Sequence, residues 1–412
     1  MGIARRTSTE ENHMPLDDDT HIGRAIARFR KAAGLNQHQL AARANISLSL
    51  LQKVEVGDRA ANHSTIAGVA RALHLPPEKL TGQPYTDHQG DEASRRHVDA
   101  LRAVLRRYDL PADSPVRPVA DLATDVAEIS RLRRDADYNR LVVRLPALLD
   151  ELTTAAHHQP DASEPWRLLC QGYFVTHNLL HRLGHGDLAE VSQDRLDWAA
   201  QRASDPLAHA VTAWARCTAF QAAGDYTHGL RLMDTARAEL DDELRGQPSP
   251  EVLTVYGSLH LRAVTLASRA GDADTTHAHL RAARDLATQL GNSDQVHHGL
   301  TFGPANTLTH EVAAHVELGD APAALEAART WAPPQGMPRT RRGHHHIDLA
   351  RAHLAVGDRA GALMALREAK RIAPQQTRLH PMVRETTAVL VSLHRRAVPE
   401  LSRYATWLGL TS

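Results

Sequence analysis

The chain has 412 residues, of which 42% are hydrophobic and only 4% aromatic, and its formal net charge is +0. That length allows two or three domains, each able to bury a core. Cores poor in aromatic rings must be built from Leu, Ala and Val, which favours helices over β-sandwiches. No apolar run approaches the ~20 residues needed to cross a bilayer, so no membrane partner is expected.

The first segment, MGIARRTSTEENHMPLDDDT (1–20), has no apolar signal core and reads as a disordered tail. Cys170 and Cys217 lie in apolar helical contexts without a CxxC partner, so no disulfide framework is expected and a reducing cytoplasm is the expected location. Charge is unevenly spread. Residues 21–80 carry nine Lys or Arg against three acids (Glu55, Asp58, Glu78), a local +6 that is the electrostatic footprint of a nucleic-acid-binding module.

From Ile22 the apolar positions Ile22, Ala25, Ile26 and Phe29 follow helical spacing, ended by Gly34. Asn36 is a good N-cap, and Gln39 three residues later completes a capping box for a second helix. After the short turn Ala44-Asn45-Ile46, Ser47 caps a third helix. Leu50, Leu51 and Val54 form its buried stripe, and Gly57 ends it. A fourth helix over 64–73 and a short fifth one after Pro76-Pro77 close the bundle.

On these residues, segment 21–80 resembles the Cro/repressor-type (xenobiotic response element family) helix-turn-helix. The resemblance implies a five-helix domain whose third helix enters the major groove of a double-stranded DNA operator, with Gln37 at the start of the second helix gripping a phosphate. Ser47, Ser49 and Lys53 should then face bases, with Leu48 and Gln52 beside them and Arg59 on a phosphate just past the helix. Several roles stay open. Ser47 is either a pure N-cap or also a base contact, and Lys53 meets guanine or only a phosphate. Leu48 meets a thymine methyl or packs on a neighbouring helix or partner subunit.

Residues 81–93, TGQPYTDHQGDEA, read as a polar linker, and an amphipathic helix follows with Val98, Leu101, Leu105 and Tyr108 on one side. From there to 412 the chain reads as helices, with no convincing alternating strand. The fold class is therefore all-α. Gly-Asp recurs at Gly186, Gly224, Gly271, Gly319 and Gly357, at spacings of 38, 47, 48 and 38 residues. The last unit, IDLARAHLAVGDRAGALMALREAKRIAP, resembles a tetratricopeptide repeat, and the longer spacings make the array a divergent one. Residues 94–412 are expected to stack as a superhelix whose concave face senses a ligand and which dimerises the protein, or which only dimerises it.

The layout as a whole resembles the peptide-pheromone (quorum-sensing) regulators of Gram-positive bacteria and many actinobacterial regulators, and the preference for Arg over Lys suits such a genome. The resemblance implies a transcriptional regulator acting as a homodimer with a peptide or small-molecule effector. Asn178 and Asn306 are the candidate ligand-binding carboxamides; the alternative is that each caps a turn or bonds another repeat. The competing function is a protein-interaction adaptor with DNA binding secondary.

Enzyme chemistry is not expected, and neither is a cofactor. His310, Glu311 and His315 resemble a zinc-protease motif with one residue too many, and i and i+5 lie about 140° apart on a helix, so no metal is expected there. The run His344-His345-His346 reads as a solvated helix start.

Overall fold

In the computed structural model, residues 21–85, 91–394 and 398–410 are described. The 1–20 tail, and residues 86–90 of the linker, lie outside them. Among the described residues the chain is all-α apart from one small ribbon. The first five helices form the expected bundle, here the head: α1 (Ile22–Ala32), α2 (Gln37–Arg43), α3 (Leu48–Val56), α4 (His63–Ala72) and α5 (Pro77–Thr81). Local chemistry sets these boundaries. The Asn36 carboxamide accepts from Gln39 N–H while Gln39 reaches back to the cap, the Ser47 hydroxyl accepts from Leu50 N–H, and Gly57 ends α3 at φ 88°. Gly23 lets α1 lie directly on α3, because a Cβ there would come within 1.8 Å of the Val54 carbonyl oxygen.

The body begins with α6 (Asp91–Arg106), α7 (Val119–Arg134) and α8 (Tyr138–His158). Five antiparallel hairpins follow: α9 (Ser163–Leu183) with α10 (Gly186–Ala203), α11 (Pro206–Ala223) with α12 (Tyr226–Ala238), α13 (Pro250–Ala270) with α14 (Ala273–Thr288), α15 (Pro304–Glu317) with α16 (Ala321–Arg329), and α17 (Arg339–Ala355) with α18 (Arg359–Ile372). The chain closes through α19 (Pro374–Leu379), α20 (Pro381–Leu393) and α21 (Pro399–Leu408).

The Gly-Asp signal has a two-part cause. Gly224, Gly271, Gly319 and Gly357 sit at φ 68–82°, the left-handed conformation that ends the first helix of a hairpin. The next residue, Asp225, Asp272, Asp320 or Asp358, then caps the second helix by accepting a backbone N–H. The first hairpin departs from this pattern: Gly184 takes the left-handed position at φ 84°, and Gly186 already opens α10.

Two features differ from the sequence-based expectation. A three-residue ribbon, β1 (Gln295–His297) against β2 (Leu300–Phe302), joins the third and fourth hairpins through His298 and Gly299, both at positive φ. Phe302 lies in the second strand, and its ring fills the space over Gly257. Further, the head has no core of its own. Ile22, Ile26, Leu40, Leu51, Val54 and Ile66 continue without a break into Ile347, Met382, Val383, Leu390 and Tyr404.

Polar contacts seal this junction. Glu385 of α20, 1% exposed, accepts from Ile22 N–H at 3.1 Å and Ala61 N–H at 2.9 Å, and Ser392 donates to the Gly57 carbonyl at 2.9 Å. Burial pushes the Glu385 carboxyl up from its ordinary pKa, while His21 and the two N–H groups pull it back. Glu385→Ala would leave two head N–H groups buried without partners, a cost of about 2–5 kcal/mol. Denaturant unfolding should register that loss, and Glu385→Gln, which keeps one acceptor oxygen, should lose less.

Candidate functional site

The outward face of the head gathers most of the polar side chains expected to meet DNA. Ser47, Ser49, Gln52, Lys53 and Arg59 are all exposed along and just beyond α3. Leu48 is half-buried against the head core, so only part of it is available to a base. Ser47 acts as the N-cap, its hydroxyl accepting from Leu50 N–H at 3.1 Å. Leu50 is half-buried, and Leu51 and Val54 carry the buried stripe.

Gln37 is tied into a network that sequence reasoning missed. Its amide donates to Glu55 at 2.7 Å, and Glu55 also receives a two-pronged hydrogen bond from Arg30 at 2.7 and 2.9 Å. A third Arg30 nitrogen donates to the Leu35 carbonyl. One buried ion pair thus fixes α1, the start of α2 and α3 relative to one another. The signal was an Arg and a Glu on helices otherwise reading as apolar inward. The local charge excess is also partly used internally: Arg30 pairs with Glu55, and Arg71 donates to the Gly224 carbonyl of the body at 3.1 Å.

Behind the head lies a cavity of about 300 Å³. The first helix of every hairpin faces it: Asn178 and Arg182 from α9, Trp214 from α11, Arg262 from α13, His310 from α15, and Arg341 and His344 from α17. The opposite wall is the head itself, through His63, Ile66 and Ala67 of α4 and Pro77 and Glu78 of α5. The side of the array formed by these first helices is therefore covered by the head.

The two candidate carboxamides separate here. Asn178 lies on the cavity wall and donates to the Phe174 carbonyl one turn back at 2.8 Å. Asn306 is 1% exposed, is not among the lining residues, and donates to the Thr301 carbonyl of the ribbon.

His63 joins head to body at the cavity edge. Its Nδ1 is 2.8 Å from Glu317, which also meets Arg351 at 2.9 Å, and Arg351 holds Asp348 at 3.0 Å. Burial and the nearby Arg269 lower the His63 pKa to about 4 despite Glu317, whereas burial raises the Asp348 carboxyl to about 6.

The histidine run is not a solvated helix start. His345 is 1% exposed against Trp331, and His344 lies on the cavity wall beside the His380 ring. His310 bonds the Asn306 carbonyl, Glu311 pairs with Arg284 and His315 packs near His277, so the three residues of the protease-like motif face different partners. Cys170 and Cys217 are both buried free thiols, their pKa values raised by burial.

Burial lowers the pKa of His345 to about 3 and holds His380 well below its ordinary range. The unfolded chain therefore takes up protons below about pH 6.5 that the folded chain refuses, and stability is lost as pH falls through that value. Asp348 has the opposite sign between about pH 4 and 6. His345 alone costs roughly 2 kcal/mol at pH 5, and with His63 and His380 shifted the same way the histidines outweigh the raised carboxyls of Asp348 and Glu385. Thermal unfolding at pH 7.5 and pH 5 should show a clearly lower midpoint at pH 5; equal midpoints would contradict these assignments.

Residues 26–80 match the family model described as Helix-turn-helix. Comparison with curated proteins and with solved structures gave no match. No helix among the described residues is long and apolar enough to cross a membrane. The head is a helix-turn-helix domain, which supports a DNA-binding role in transcription regulation.

Proposed function

We propose that the protein is a ligand-responsive transcriptional regulator rather than an enzyme, acting in the cytoplasm as a homodimer on an operator. In this reading α3 enters the major groove, Ser49, Gln52 and Lys53 meet base edges, and Gln37 and Arg59 grip phosphates. Dimerisation is inferred from geometry: one such head covers a half-site, and two spaced a helical turn apart supply useful affinity.

The observation that carries the ligand half is the shared wall. The hairpin helices and the head line the same cavity, so an effector held there touches the body and α4 together. A peptide or small molecule that prefers one head position over another would shift the head population and with it operator binding. Because the head covers the side formed by the first helices, an extended peptide would have to displace it, and a compact ligand fits the observed volume better.

The DNA half is tested with Lys53→Ala on genomic fragments across a salt series. Base contact by Lys53 should cost about 1–3 kcal/mol and alter preference at one position, whereas phosphate contact should weaken all sequences alike and reduce the salt slope by about one. Unchanged binding to every DNA would remove α3 from the reading role.

A further inference from the structure

The cavity has a charge that neither DNA binding nor folding explains. Arg133, Arg182, Arg262 and Arg341 line it, from α7, α9, α13 and α17, and none of the four forms an ion pair with a carboxylate among the described residues. Of the three acids on the wall, Glu317 and Asp348 are already engaged by Arg351, and Glu317 by His63 and Arg269 as well, while Glu78 lies on α5 of the head.

The arginines fall into two kinds. Arg133 donates to the Gly299 carbonyl and leans on the Phe174 ring, and Arg262 lies 3.6 Å over the Trp214 ring and donates to Gln221 at 3.0 Å. Both are held in place, yet each keeps a buried Nε without a partner. Arg182 and Arg341 have no side-chain hydrogen bond or ring contact among the described residues, although both line the cavity. Burial and neighbouring arginines lower Arg133 and Arg262 to about 9, and burial and Arg182 lower Arg341 to about 10 despite the nearby Asp294 carboxyl.

Four like charges around a small space raise the energy of the empty site. Guanidinium forks are also matched to oxyanions, which they bind through paired N–H donors. Solvation by water is the only other way to satisfy these donors. We infer that the cavity binds a compact multivalent oxyanion, a phosphorylated or polycarboxylated small molecule, with Arg182 and Arg341 as its direct ligands and Arg133 and Arg262 as a preset positive wall. The inference rests on the reading of this cavity as the effector site and names the effector's chemistry. Because Ile66, Ala67 and Glu78 of the head complete the wall, the anion would sit at the junction between head and body.

The probes are pyrophosphate for the phosphate source and citrate for the carboxylate source, against chloride at matched ionic strength. The full chain is followed by thermal unfolding. One or both probes should raise the midpoint by at least about 2 °C. Arg341→Gln and Arg182→Gln should each abolish most of that rise. Without any anion these variants should unfold no lower than the wild type, since each removes a repelling charge and no hydrogen bond or ion pair. The inference is overturned if neither probe stabilises the protein more than chloride does, or if the variants respond like the wild type. A neutral compound found bound in the cavity by native mass spectrometry, with no effect of either arginine variant on its retention, would overturn the anion assignment while leaving the cavity as an effector site.

Discussion

Glu385 accepts hydrogen bonds from two backbone N–H groups of the head while lying inside an otherwise apolar junction. A buried carboxylate survives there only if its acceptors are filled, so its position fixes the start of α1 and the residue before the α4 cap at once. Around it, Ile22, Ile26 and Leu51 share a core with Met382, Val383 and Leu390. The placement of α3, the direction in which its polar face looks, and the existence of the cavity all follow from this junction.

The same arrangement ties chemistry behind the head to the surface in front of it. α4 carries His63 into the Glu317–Arg351–Asp348 network on its inner side, and it packs on α2 through Gly68, where a Cβ would meet the Ala44 carbonyl oxygen at 2.7 Å. The Arg30–Glu55–Gln37 network then links α1, α2 and α3. A shift of α4 would therefore be passed to α3 through packed, hydrogen-bonded contacts, not through a flexible tether.

Much of this was legible in the sequence, for identifiable reasons. Caps such as Asn36 and Ser47 and left-handed glycines such as Gly57 are local, so the five head helices and most of the hairpin turns could be read directly. The exposed face of α3 followed from helical period alone. What escaped depends on contacts distant in the chain. Nothing near Ile22 announces a partner at Glu385, 363 positions away. The ribbon was too short to show alternation, and His345 looked solvated because the Trp331 that covers it lies on another segment. The candidate carboxamides illustrate the limit: Asn178 and Asn306 look alike in sequence, yet only the first faces the cavity. The arginines there were lost in a surface rich in arginine, because their convergence exists only once five hairpins have stacked.

The central claim is that head and body share one core in the free protein, with the cavity between them. Spin labels at Ser49, exposed on α3, and at Met364, 68% exposed on α18, measure that relation directly, since the native thiols are buried. Electron-spin distance measurement on the free protein should give a single narrow distribution. A broad distribution, as from a head swinging on a linker, would contradict the account.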